Sequence, residues 1–242
     1  MSEDTRLNKY LAECGVCSRR EADKLIASGR VSINGRPAEL GERITSGDTV
    51  YLDGKPLSLV EKKTVLAFYK PEGVVVSESD PHAEKTVFDL IDYPQRLTYA
   101  GRLDKDSEGL LLLTNDGDLI HAMMQGSAAH EKEYIVKLNR DPEEEALERL
   151  RGGIWIKELE CSTKPCRIES LGRGKVRMVL KEGLNRQIRR MWSAEHYHVR
   201  NLKRVRVVTV RLGELKAGEY RELEEEELKR LYKAVGLRYE DR

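Results

Sequence analysis

Apolar positions near the N-terminus recur twice at helical spacing and then shift to short alternating runs. Residues 6–13 place Leu7, Tyr10 and Leu11 on one face, which predicts a helix. Ser18 precedes a second periodic run, Arg19 to Ala27, that turns Ala22, Leu25 and Ile26 inward. Glu21, three residues after Ser18, completes a capping box, and Gly29 stops the helix. Val31–Ile33 and 48–52 then read as β segments followed by the tight turns Asn34-Gly35 and Asp53-Gly54. Beyond residues 58–63, which read as a linker, the pattern changes to longer strands, at 65–69, 109–113, 134–138 and 176–180. Helices are predicted at 143–150 and 224–235. Strands and helices do not alternate regularly enough for a doubly wound sheet. The expected fold is α+β: a small helix-helix-sheet domain over 1–57, a linker over 58–63, and a larger domain over 64–242 with a central, mostly antiparallel sheet.

Composition and charge narrow the class. The chain is 39% hydrophobic and 35% charged, which predicts a globular protein with a heavily charged surface. No apolar run approaches the roughly 18–20 residues that span a bilayer. The opening MSEDTRLNKY also lacks the apolar core of a signal peptide, so a cytoplasmic protein with no membrane partner is expected. Cys14 and Cys17 stand in the helix–turn–helix stretch, where small buried residues are anticipated, and a four-thiolate zinc site with Cys161 and Cys166 is the weaker reading. The net charge is only +1, but it is unevenly spread. Between Arg173 and Arg211 twelve Lys and Arg face two acids, Glu182 and Glu195, and a second basic stretch lies between Thr5 and Arg36. Two such stretches in a near-neutral chain point to a polyanionic partner.

The densest candidate chemistry lies at 100–119, AGRLDKDSEGLLLLTNDGDL. Asp104, Asp106, Glu108 and Gly109 sit at the first, third, fifth and sixth offsets of a calcium loop, but the twelfth is Asn115 where a bidentate Glu is needed. The remaining readings are carboxylates that satisfy turn backbone groups and a catalytic carboxylate. Neither a phosphate-binding G-x-x-x-x-G-K-[ST] loop nor a dinucleotide fingerprint is present.

Two resemblances decide between these readings. RLNKYLAECGVCSRREADKLIASGRVSINGRPAELGERITSGDTV resembles the S4 RNA-binding domain, which implies that Arg6, Lys9, Arg19, Arg20, Lys24 and Arg30 present a basic face to structured RNA. Arg19 and Arg20 at a helix start oppose the macrodipole, a cost that a phosphate contact would offset. GRLDKDSEGLLLLTNDGDL, with KPEGVV before it and EKEYIVKL and EGLNRQIRRMW after it, resembles the RsuA/RluB/RluE/RluF group of ribosomal RNA pseudouridine synthases, most like the RluF branch. The resemblance implies isomerisation of a uridine in large-subunit ribosomal RNA by a monomer, with no cofactor and no metal. It makes Asp104 the nucleophile and Tyr134 the aromatic against the flipped uracil. Arg189 becomes the counter-charge of Asp104, and Arg102 fills the space left by the flipped base. Arg186 and Arg190, near one face of a helix whose start Asn185 marks, are expected on phosphate. Breaking N1–C1′ and joining C5 to C1′ needs no redox partner, only a carboxylate beside the sugar and base.

Overall fold

The computed structural model describes residues 4–60, 62–78, 80–125 and 130–239. Of the expected segments, positions 1–3, Glu61 in the linker, and 79, 126–129 and 240–242 in the larger domain lie outside the described residues. The N-terminal part runs β1 (Thr5–Arg6), α1 (Leu7–Glu13), α2 (Arg19–Ala27), β2 (Val31–Ile33), β3 (Arg36–Pro37), β4 (Arg43–Ile44), β5 (Val50–Leu52) and β6 (Lys55–Pro56). As expected, the Ser18 hydroxyl accepts a hydrogen bond from the Glu21 amide at 3.2 Å. Leu7, Leu11, Ala22, Ile26, Val31, Ile33, Ile44 and Val50 form a core of their own, and Cys17 packs within it as a small hydrophobe. Leu25 sits at the margin of that core.

The rest of the chain runs β7 (Val65–Lys70), β8 (Thr98–Tyr99), β9 (Glu108–Thr114), α3 (Gly117–Met124), β10 (Lys132–Leu138), α4 (Glu144–Gly152), β11 (Trp155–Ile156), β12 (Cys161–Ser162), β13 (Arg167–Gly172), β14 (Lys175–Leu180), α5 (Gln187–Ala194), β15 (Val199–Val207), β16 (Val210–Arg211), β17 (Tyr220–Glu222) and α6 (Glu225–Ala234). Its large sheet has the order β13-β14-β10-β15-β9-β7-β17. Among the described pairings in that order all are antiparallel except β15 with β9, which makes the sheet mixed.

Period-two alternation sorts the side chains of this sheet. On β7 and β9, Leu66, Phe68, Leu111 and Leu113 point to one face, where α4 and α5 add Leu147, Leu150, Ile188, Met191 and Trp192. Val65, Ala67, Leu110 and Leu112 point to the other, where α3 and α6 add Leu119, Leu228, Leu231 and Tyr232. Strands buried on both faces read as unbroken apolar runs, which is why VLAFY and LLLL stood out in the sequence. On β10 only alternate positions, Tyr134, Val136 and Leu138, enter the core. The opposite side of this strand carries Glu133, paired with Arg206 at 2.9 Å and Arg177 at 3.5 Å. No described helix is long and apolar enough to cross a membrane.

The parallel join between β9 and β15 brings Gly109 opposite Arg204. Gly109 has φ +106°, and a Cβ there would lie 2.2 Å from the Arg204 carbonyl oxygen and 2.7 Å from its amide nitrogen. Backbone cannot give way as a side-chain tip can. Gly109→Ala is expected to destabilise the protein by about 3 kcal/mol, a fall in Tm of roughly 6–12 °C for a chain of this size. Gly117→Ala, with open space around it, should leave Tm unchanged or slightly raised. Thermal unfolding of the two variants measures both.

Candidate active site

The residues before β9 form a turn in which the Ser107 amide donates to the Asp104 carbonyl at 3.1 Å. This turn borders a cleft of about 980 Å³, whose walls include Arg102, Asp104, Lys132, Tyr134, Arg186 and Arg204. That space accommodates a nucleotide rather than a water molecule. Tyr134 reaches it from β10 with 8% of its surface exposed, so its ring is held by the core while one side borders the cleft. Arg102 stands exposed at the rim. Arg102 and Asp104, from one motif, and Tyr134, from another, therefore meet in one place.

Arg189 differs from expectation. It is absent from the described cleft wall, and its partner is Asp106 rather than Asp104. Its Nε lies 3.2 Å from the Asp106 carboxylate without hydrogen-bond geometry, its Nη2 donates to the Asp106 carbonyl at 2.5 Å, and its Nη1 donates to the Val199 carbonyl at 3.1 Å. These backbone acceptors fix the guanidinium beneath the turn. The cation nearest Asp104 is Arg186, whose Nη1 is 3.9 Å from the carboxylate. Arg186 grips Asp106 in a two-pronged pair, at 2.8 and 3.0 Å, and holds its carboxyl below the usual range, with Arg189 adding to the effect. Asp106 had been assigned only to the turn. Its position between two arginines makes it the organiser of the loop.

Asn185 does not begin the helix: Arg186 is the N-cap of α5, with φ 51° in the left-handed region and no side-chain cap. A non-glycine residue in that region is strained, and its two-pronged pair with Asp106 helps hold it there. Arg190 folds back on Asn185, donating to its carbonyl at 3.0 Å and its side-chain oxygen at 3.2 Å, and lies 3.6 Å from Glu158.

Of the predicted N-terminal contacts, Arg6, Arg19, Arg20 and Lys24 are exposed, and their side chains have no described hydrogen bond or ion pair. Two are engaged within the protein instead. Lys9 donates to Asp118 on α3 at 2.9 Å and also lies 3.4 Å from Glu13, one turn along α1; the Asp118 bond raises its pKa. Arg30 is bound to Asp53 across the turn after β5.

Lys70, in the KPEGVV segment, is a residue for which the sequence alone suggests no role. Its side chain is fully buried and its ammonium donates to the carbonyls of Ser107 at 2.6 Å, Pro71 at 2.7 Å and Lys105 at 3.4 Å. Three carbonyls from two loops thus converge on one cation. Burial lowers its pKa to about 8 against the pull of Asp106 and the neighbouring acids. A lysine ending an apolar strand was the available signal.

Residues 64–194 match the family described as RNA pseudouridylate synthase, and residues 5–50 match the S4 domain. The chain is similar to the dual-specificity RNA pseudouridine synthase RluF of Escherichia coli K12, at 39% identity over 95% of this chain and 79% of that one. It is also similar to the ribosomal large subunit pseudouridine synthase B of Bacillus subtilis, at 37% identity over 93% and 95% of the two chains. A crystal structure of a pseudouridylate synthase superposes with a TM-score of 0.70 at 34% identity, covering 94% of this chain and 99% of that one.

The Lys70 cluster generates a signed prediction. Because the folded pKa is depressed below 10.5, the unfolded chain binds the extra proton between about pH 8 and 10.5, and wild-type stability gains from this group as pH rises through that window. Lys70→Met keeps the apolar stem but leaves the carbonyls without their donor, at a cost of about 2–4 kcal/mol at pH 7. The stability gap between wild type and Lys70→Met should therefore widen from pH 7 to pH 10. Urea unfolding at the two pH values reads the gap.

Proposed function

Because the chain belongs to the RNA pseudouridylate synthase family, we propose that it converts a uridine of large-subunit ribosomal RNA to pseudouridine, with Asp104 as the nucleophile. The observation that carries this reading is the meeting of Asp104, Tyr134 and Arg102 around one nucleotide-sized cleft. The basic surface draws in the RNA backbone, and the target base leaves its stack at a cost of a few kcal/mol, least in a loop or bulge. Arg102 at the rim takes the vacated space. Inside, the uracil lies against Tyr134 with its sugar beside Asp104. The N1–C1′ bond breaks, the ring turns, C5 bonds to C1′, C5 releases its proton and N1 gains one. Every atom comes from the nucleotide or water, so the reaction calls for neither cofactor nor metal. Arg186 supplies positive charge 3.9 Å from Asp104, while Arg189, through Asp106, positions the turn that carries it.

Residues 1–57 form the RNA-holding unit, 58–63 the connection and 64–242 the catalytic unit. The exposed Arg6, Arg19, Arg20 and Lys24 supply phosphate contacts in the first, and Arg190 supplies one in the second. The enzyme acts as a cytoplasmic monomer without a membrane partner.

Asp104→Asn is expected to abolish isomerisation, by at least about 10⁴-fold, while RNA affinity stays within about 3-fold, since affinity arises from basic groups meeting phosphates. Tritium release from C5-labelled uridine RNA at saturating enzyme separates chemistry from binding, and release at the wild-type rate would refute the assignment. Arg189→Ala should lose most activity through the turn, with Arg189→Lys recovering part of it. Deleting residues 1–57 should instead weaken binding and steepen its dependence on RNA length, measured by titration with hairpins of increasing size.

A further inference from the structure

We propose that Lys132 and Arg204 form a phosphate-binding pair in the wall of the cleft, and that it takes the RNA backbone phosphate adjoining the flipped uridine. This inference rests on the function proposed above and names a subsite within it.

The two cations come from neighbouring strands. On β10, Lys132 and Tyr134 both line the cleft, whereas Glu133 between them serves the opposite face. On β15, paired with β10, Arg204 lies opposite Tyr134 and lines the same cleft. Arg204 is 97% buried, since only 3% of its surface is exposed. Its Nε donates to the Leu110 carbonyl at 2.7 Å and its Nη1 to the Arg102 carbonyl at 3.3 Å. Its Nη2 is buried with no hydrogen-bond partner in the structure. A buried donor left unmet costs about 1–3 kcal/mol, and more when it is charged. Burial lowers the pKa of the Lys132 ammonium, and the positive charge of Arg204 adds to the same effect. Among the described residues neither cation has an acidic partner.

The opposite face of these strands and of the adjoining β14 shows what ordinary structural cations look like. There Arg206 lies 2.9 Å from Glu133 and 3.0 Å from Glu131, and Arg177 lies 2.8 Å from Glu169. Arg206 and Arg177 each have a carboxylate, while the inward pair has none among the described residues. Two like charges held together in a partly dry wall, with one donor unspent, are suited to an incoming anion. A uracil carbonyl would satisfy the donor but leave two charges uncompensated. A phosphodiester supplies the negative charge and several acceptor oxygens. Lys132 and Arg204 flank Tyr134, so a phosphate held there fixes the backbone next to the base that the ring receives. The pair thus positions the sugar relative to Asp104 rather than acting on the reacting atoms.

The test is a cycle between protein and RNA changes, read by fluorescence anisotropy. The probe is a hairpin with one loop uridine, carrying a neutral methylphosphonate at the linkage 5′ or 3′ to it, or two nucleotides away. In wild type, one of the adjacent substitutions should weaken binding about 10-fold. Lys132→Gln should weaken binding of the unmodified hairpin by a similar factor and reduce its salt slope by about 0.7. Combining the two should add less than about 2-fold. Lys132→Arg, which keeps the charge, should restore sensitivity to the methylphosphonate. Equal sensitivity of wild type and Lys132→Gln to the methylphosphonate at both adjacent linkages would overturn the proposal. Conversion of uridine by wild type is scored separately. Turnover without coupling defeats the subsite alone, and coupling without turnover defeats the isomerase reading alone.

Discussion

The parallel contact of β9 with β15 is the constraint on which the cleft depends. β9 begins at the turn that holds Asp104, and β15 follows directly from α5, whose first residues hold Arg186 and Arg189. Bringing the two strands into register at Lys203 opposite Glu108 and Arg204 opposite Gly109 places these distant segments at one end of the sheet. The approach is so close that only a hydrogen fits at position 109. β10, on the other side of β15, then delivers Tyr134 and Lys132 to the same cleft.

Around that junction the turn at 104–107 is held from two sides. Lys70 collects its carbonyls from within, and Arg186 and Arg189 hold Asp106 from the neighbouring helix. Asp104 itself faces the cleft, and its one described ion pair is the long 3.9 Å contact with Arg186, so the acid proposed to react is less committed to structure than Asp106. A division of labour follows from adjacent carboxylates in different surroundings: Asp106 is consumed by pairing, and Asp104 is left available.

Charge is sorted in the same way across the sheet. The basic stretch from 173 to 211 reads in sequence as one run, but a register shift on β15 between Arg204 and Arg206 turns Arg206 to outward carboxylates and leaves Arg204 inward. Phosphate affinity therefore belongs to particular members of the run, not to all of it. Lys9 and Arg30, equally basic in sequence, are tied to Asp118 and Asp53.

Local patterns were enough to determine much of this protein. Periodic apolar spacing located α1, α2, α4 and α6, unbroken apolar runs located β7 and β9, and the long motifs around Asp104, Tyr134 and Arg189 identified the chemistry, because each signal is carried by neighbours in the chain. β15 was harder to see, since cations interrupt its apolar pattern and its buried positions, Val199, Leu202, Arg204 and Val207, depart from strict alternation. Which cation meets which acid was decided only by tertiary structure. Asp104 and Asp106 are two residues apart and chemically alike, and the docking of α5 through the Val199 and Asp106 carbonyls assigns Arg189 to the second of them. Nor could sequence show that Arg204 keeps a donor unmet, because a hydrogen-bond deficit exists only once every neighbour is in place.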